Sequence, residues 1–150
     1  MIKSSNSTRS LQSDEDLARM VVSVAKAACV DCVICITETG ALAQHLYRLS
    51  GHFRIIATTT NSETFDTLIK AGVEVIRLPL RTADKYTQIR HAISVVLRSS
   101  TVSIGDFVVC AIGHDVYQER GNLVVLTELE AAIEKLAVSD LVKLTDGIQP

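Results

Sequence analysis

The chain has 150 residues, of which 47% are hydrophobic and 21% are charged, and its formal net charge is −2. This length suits one domain with a sizeable core, and a sequence without basic excess, with only three Phe and three Tyr, argues against a nucleic-acid-binding surface. No apolar run approaches the roughly 20 residues of a membrane span, and the polar amino terminus lacks the apolar centre of a signal peptide, so we expect a cytoplasmic protein without a membrane partner.

The chain begins with a polar, serine-rich segment, which predicts a disordered leader over residues 1–13. A helix is predicted from about Glu15 to Ala28, with Ser13 or Asp14 as its cap and acidic residues in its first turn.

Residues 31–46 read as a buried strand, a short polar turn and a helix. Residues 33–36 are mostly apolar, and Leu42 and Leu46 recur at helical spacing. The turn, residues 37–40, would lie at the carboxyl end of a strand and the amino end of a helix. Backbone N–H groups lack partners there, and open α/β sheets usually bind ligands there.

The same unit is repeated further along the chain. Residues 52–58 predict a second strand, and Asn61 or Ser62 can cap a helix over 63–71 that Gly72 ends. Residues 73–78 predict a third strand, which Pro79 stops. A longer helix then runs from Thr82 or Ala83 to Arg98. Its predicted buried stripe consists of Tyr86, Ile89, Ile93, Val96 and Leu97.

Two further strands are predicted over 107–112 and 122–127. The turn Gly113-His114-Asp115 closes the first of them. Only about nine residues join the two, too few for a helical crossover between parallel strands, so the last strand is expected to be antiparallel at a sheet edge. Residues 130–136 can form a short helix.

The alternation of strands and helices predicts an α/β three-layer sandwich: a five-stranded, mostly parallel sheet with an antiparallel edge strand. The helix before the fourth strand would cross to the other face of the sheet. This places the switch point between the first and fourth strands, so that residues 37–40 and 113–115 border one cleft. We expect one domain over 14–137, with 138–150 as a tail or a linker to a further domain beyond Pro150.

Four segments carry a resemblance to a known family: residues 36–45, 54–59, 72–75 and 105–113. In their order and spacing, the chain resembles the carboxy-terminal domain of pyruvate kinase from roughly Glu15 to Glu128. The resemblance implies a five-stranded α/β domain without catalytic residues of its own, which serves subunit contacts and binds a phosphorylated sugar effector.

The family reads Thr-x-Ser-Gly-x-Ser after its first strand, in a loop that holds a sugar phosphate. Thr37, Thr39 and Gly40 match this pattern, whereas Leu42 replaces the second Ser hydroxyl. Glu38 adds a carboxylate that opposes an anion, so we expect a ligand other than fructose bisphosphate.

A weaker resemblance is to domains fused in front of diadenylate cyclases. The candidate ligand-binding residues of this chain are Thr37, Glu38, Thr39, Gly40, Thr59, Gly113 and His114. The alternative for the first turn is a simple helix cap.

The three cysteines at 29, 32 and 35 superficially match a metal-binding spacing. On a strand, however, Cys32 and Cys35 point to opposite faces, and Cys29 lies at the end of the preceding helix. We therefore interpret all four cysteines, Cys110 included, as small buried residues of a reduced protein. We expect no metal and no cofactor. Four basic residues around the third strand are expected to form a solvated face, namely Arg77, Arg81, Lys85 and Arg90.

These observations predict a non-catalytic regulatory or assembly domain that binds a small phosphorylated or anionic effector. The uncharged edge strand over 122–127 predicts a homodimer or homo-oligomer. Two alternatives stay open: a small enzyme that acts on a phosphorylated metabolite with Glu38 and His114, and the sensory front domain of a diadenylate cyclase.

Overall fold

Helices and strands alternate along the chain, as the sequence predicts. The computed structural model describes residues 13–49, 51, 53–99, 102–113, 116 and 124–129. Its elements are α1 (Asp14–Ala28), β1 (Cys32–Ile36), α2 (Ala41–Leu49), β2 (Arg54–Thr59), α3 (Ser62–Lys70), β3 (Glu74–Arg77), α4 (Lys85–Arg98), β4 (Phe107–Ile112) and β5 (Val124–Glu128). The predicted helix over 130–136 and the tail over 138–150 lie outside the described residues. None of the described helices is long and apolar enough to cross a membrane.

The five strands form one mixed sheet in the order β3-β2-β1-β4-β5. β1 pairs in parallel with β2 and β4, and β2 pairs in parallel with β3. β5 is antiparallel to β4, so the predicted edge strand is confirmed in its direction. Ile36 is in register with Ile112, which sets the carboxyl ends of β1 and β4 side by side.

Helices cover both faces of the sheet. α1, α2 and α3 pack on one face, where the buried residues include Leu17, Leu46 and Leu68. α4 packs on the other face through residues such as Ile93. All five residues of β1 are buried, as expected for a central parallel strand covered on both sides. Because α4 is the one described helix on the second face, the chain reverses its winding between β1 and β4, and the predicted switch point is confirmed.

Side-chain caps fix where the helices begin. The Ser13 side chain accepts the N–H of Asp16 at 3.0 Å, and Asn61 caps α3. α4 starts at Lys85, later than predicted, because the Asp84 carboxylate accepts the N–H of Thr87 at 2.8 Å. The N–H of Thr82 donates to Oε1 of Gln88 at 2.6 Å and so stays outside the helix.

One residue of the predicted buried stripe of α4 is exposed. Tyr86 has 57% of its surface accessible, whereas Ile89, Ile93 and Val96 are buried as predicted. The buried face also includes Gln88 and Ala92, so its centre lies further round the helix than the predicted stripe. Tyr86 therefore falls on the margin of that face.

Candidate functional site

The turn after β1 is fixed by its own threonines. Thr37 is fully buried, and its Oγ1 accepts the N–H of Gly40 at 2.9 Å. Thr39 is exposed, and its Oγ1 accepts the N–H of Ala41 at 3.3 Å. Both hydroxyl oxygens therefore cap the start of α2, as the capping alternative predicts.

Gly40 has the backbone conformation that allows the chain to enter α2. Its φ is +91°, a value that side chains with a Cβ rarely adopt. A Cβ at this position would lie 3.4 Å from both Leu68 Cδ2 and Thr64 Cγ2. The turn thus rests directly on α3, and its position depends on that helix.

Glu38 is held at both its side chain and its backbone. Thr60 Oγ1 donates to the Glu38 carboxylate at 2.7 Å, and the Thr64 hydroxyl donates to the Glu38 carbonyl. The side chain of Glu38 is half-buried, and neither of the described ion pairs Arg19–Glu15 and Arg54–Glu74 includes it. The carboxylate is directed at Thr60 in the turn after β2.

Thr59 lies in the same edge of the sheet, as the last residue of β2. Its side chain is fully buried, and Oγ1 accepts the N–H of Asn61 at 3.1 Å. Its carbonyl accepts the N–H of Leu78 at 2.8 Å. Thr59 is thus next to the turn that holds Glu38, with its hydroxyl used inside the fold.

Gly113 brings the fourth strand to the first turn. Its N–H donates to the carbonyl of Ile36 at 2.9 Å, directly before Thr37. The structure therefore brings residues 37–40, 59 and 113 together at the carboxyl edge of the sheet. His114 and Asp115 lie outside the described residues.

Arg77 and Arg81 also lie at this edge of the sheet. The sequence predicted that both would lie on a solvated face. Arg81 Nη1 donates to the carbonyl of Val116 at 2.8 Å, and the N–H of Val116 donates to the carbonyl of Gly113 at 3.2 Å. Arg77 Nη2 donates to the carbonyl of Thr60 at 3.2 Å. These partners are 35 and 17 residues apart, so no local pattern in the sequence could reveal them.

The cysteines are distributed as their strand positions predict. Cys35 lies in the core on the α1 face, and Cys32 and Cys110 lie in the core on the α4 face. Burial raises the pKa of the Cys32 thiol to about 12 and also raises the pKa of the Cys110 thiol. Cys29, predicted to be buried with the others, is exposed, because it ends α1 in the left-handed conformation at a φ of +54°. The described residues contain no cluster of three His, Cys, Asp or Glu side chains that could hold a metal ion.

Comparisons with known proteins find one matching family and several similar structures. The family model of the pyruvate kinase alpha/beta domain matches residues 15–127. No curated protein matches the sequence.

Solved pyruvate kinases of Cryptosporidium parvum are similar in structure. One is 25% identical with a TM-score of 0.63, covering 77% of this chain and 22% of that chain. A second is 24% identical with a TM-score of 0.62, with coverages of 77% and 22%. A third, in complex with ADP, is 24% identical with a TM-score of 0.64, with coverages of 77% and 23%. The chain spans less than a quarter of the length of these proteins.

The matched residues run from the first turn of α1 into β5 and include every strand of the sheet at least in part. The sheet order and the switch point between β1 and β4 follow from those same residues. The chain belongs to the pyruvate kinase alpha/beta domain family.

Proposed function

We propose that this chain is a non-catalytic regulatory and assembly domain, and that it binds a small phosphorylated or anionic effector at the carboxyl ends of β1 and β4. The observation that carries the proposal is the hydrogen bond from the Gly113 N–H to the Ile36 carbonyl. It joins two turns that are far apart in sequence at the switch point, where α/β sheets bind their ligands.

The chemistry of this edge supports an anionic ligand. The positive end of the α2 dipole lies at this turn, although the Ala41 N–H already donates to Thr39 Oγ1. The exposed hydroxyl of Thr39 lies in the same turn. Arg81, bound to the carbonyl of Val116, brings a guanidinium to the side of β4. The turn after β1 thus offers donors, and Arg81 adds positive charge on the β4 side.

Glu38 weakens binding of an anion, and its neutral isostere tests the site. Glu38→Gln keeps an oxygen that accepts from Thr60 but removes the negative charge, so we expect phosphate to bind roughly tenfold more tightly. Calorimetric titration of the full chain with inorganic phosphate and with fructose 1,6-bisphosphate measures this. Asp66→Asn, which removes a charge from the exposed middle of α3, is the control and should leave the affinity unchanged.

The effector part of the proposal fails if neither the native chain nor Glu38→Gln binds either probe at millimolar concentration. Equal affinities of the native chain, Glu38→Gln and Asp66→Asn would place the anion away from this turn.

Self-association is proposed to use the free edge of β5. β5 pairs with β4 on one side, and no described strand lies on its other side. Unpaired N–H and C=O groups of such an edge are a template for a second copy of the chain. We expect sedimentation velocity to show a dimer that grows with protein concentration.

Hydrogen exchange locates the dimer contact without any mutation. Amides of β5 should exchange more slowly at concentrations where the dimer forms, whereas amides of β3, at the opposite edge, should not change. A strict monomer at high concentration, or slower exchange at β3 alone, contradicts assembly through β5.

A further inference from the structure

The backbone of β4 divides its hydrogen bonds between the strands on its two sides. The carbonyl of Phe107 accepts the N–H of Asp31 at 2.8 Å, and the N–H of Gly113 donates to the carbonyl of Ile36 at 2.9 Å. Asp31 directly precedes β1 and Ile36 ends it, so both bonds lie on the β1 side of β4. Odd-numbered residues of β4 therefore bond toward β1, and even-numbered residues bond toward β5.

The alternation in β4 determines which residues of β5 bond to it. The two strands are antiparallel, and Val108 lies opposite Thr127. Opposed residues of an antiparallel pair exchange both of their backbone hydrogen bonds or neither, so Thr127 bonds to β4. Two residues further on, the N–H of Leu129 donates to the Asp106 carbonyl at 2.8 Å, as the same pattern requires.

Three residues of β5 therefore direct their N–H and C=O groups away from the sheet, namely Val124, Leu126 and Glu128. No described strand lies beyond them. The Glu128 carbonyl accepts the Thr127 hydroxyl at 3.3 Å and keeps a second lone pair for another donor. The side chains of the three residues lie on the α1 face, since Leu126 is opposite Val109, which is in the core beneath α1. The outward backbone groups and the α1-face side chains of β5 thus belong to the same residues.

Two copies of β5 can pair through these groups in few registers. In a symmetric antiparallel pair, each outward residue must lie opposite an outward residue of the second copy. With Leu126 opposite Leu126, Val124 lies opposite Glu128, and every outward residue of β5 has a partner. A shift of two residues in either direction leaves one of them without a partner in β5. The register centred on Leu126 therefore forms the most backbone hydrogen bonds.

The side chains of β5 favour the same register. Glu128 is the charged residue of this strand, and in the centred register the two Glu128 carboxylates are well separated along the joined strands. A shift that pairs residues nearer the carboxyl end of β5 brings these like charges together, which destabilises a strand pair. Leu126 is 48% exposed in the single chain, and its counterpart in the second copy would cover it.

We propose that two copies of the chain join through β5 with Leu126 opposite Leu126, about a two-fold axis perpendicular to the sheet. The two sheets then form one continuous sheet, and both α1 faces lie on the same side of it. This inference rests on the self-association proposed above and adds the register and the symmetry of the contact. It does not involve the turn at residues 37–40.

Disulfide cross-linking of the full chain tests the register. Leu126→Cys is combined with Cys29→Ser, which removes the exposed native thiol. In the proposed register the two Cα atoms at position 126 are about 5.5 Å apart, a distance that a disulfide spans. On mild oxidation with copper phenanthroline, we expect most of this variant to form a covalent dimer.

Val125→Cys and Thr127→Cys, each combined with Cys29→Ser, are the matched controls. Position 125 lies opposite position 127 of the second copy and not opposite itself. Each control alone should therefore form at least roughly tenfold less covalent dimer than Leu126→Cys. When the two controls are mixed, a disulfide between positions 125 and 127 should form.

The outcomes separate the register from self-association. Efficient cross-linking of Val125→Cys or Thr127→Cys by itself would show a shifted register and overturn this inference alone. A dimer in sedimentation that none of the three probes captures would also overturn it, since β5 would not form the contact. A strict monomer would instead overturn the proposed self-association, and this inference with it.

Discussion

At the scale of single residues, Gly40 determines how β1 leads into α2. Its φ of +91° is strained for any residue with a Cβ, so Gly40→Ala should lower the free energy of unfolding by about 1–3 kcal/mol. The new Cβ would lie 3.4 Å from two methyl groups, an ordinary contact distance, so strain in the backbone is the main cost. Urea unfolding followed by circular dichroism measures the change.

Gly105→Ala is the control that measures the cost of backbone strain without a packing contact. Gly105 has a similar φ of +101°, and nothing lies within 4 Å of its added Cβ. We expect both variants to lose similar stability. A much larger loss for Gly40→Ala would mean that the contact with α3 cannot relax, and no loss would contradict the strained turn.

Sequence reasoning found the glycine and the threonines of this turn, because a cap and a positive φ are local requirements. It could not find the partner of Glu38. Thr60 is 22 residues away, and its hydroxyl reaches the carboxylate only because β1 and β2 are neighbours with their ends in register. The direction of that side chain is a property of the folded sheet.

At the scale of elements, the start of α4 depends on Asp84. Its carboxylate accepts from both the hydroxyl and the N–H of Thr87 at 2.8 Å. Loss of this cap in Asp84→Ala should cost about 1 kcal/mol of unfolding free energy at neutral pH. Asp84→Asn keeps an acceptor oxygen and should lose less, as measured by urea unfolding of both variants.

The same cap predicts a pH dependence. The Thr87 hydroxyl, and then its N–H, hold the pKa of Asp84 below its ordinary value. A carboxylate with a depressed pKa in the folded state stabilises the protein above its unfolded pKa of about 4, and this stabilisation is lost as the pH falls through the folded pKa. The difference in stability between the native chain and Asp84→Asn should therefore shrink below about pH 4. A difference that stays constant from neutral to acidic pH would contradict the ionised cap.

Element positions followed from periodicity where a buried face was continuous, as in β4, whose observed bounds of Phe107–Ile112 equal the predicted ones. The predicted bounds were wrong where a side chain binds a backbone N–H several residues away in the chain. The Gln88 side chain accepts the N–H of Thr82 and keeps it out of α4, and this bond requires Gln88 to be in the helix. A propensity scale holds no information about such a contact.

At the scale of the whole molecule, the switch point between β1 and β4 could be predicted, because right-handed crossovers with one helix on the opposite face require it. The short link between β4 and β5 decided the antiparallel edge in the same way. The residues at the switch point could be placed only in part, since Arg81 reaches the β4 side through a loop without regular structure.

The reactivity of the buried thiols measures whether the whole sheet opens at once. Cys35 lies on one face and Cys32 and Cys110 on the other, all within strands, so a reagent reaches all three only when the sheet opens. Because burial raises the pKa of Cys32 to about 12, only a small fraction of this thiol is ionised even at alkaline pH.

In a titration with Ellman's reagent, one thiol of the native chain, Cys29, should react fast, and all four should react in urea. Cys29→Ser should abolish the fast phase, and the three slow thiols should share one rate that follows global unfolding. A second fast thiol, or separate slow rates, would mean that one face of the sheet opens without the other.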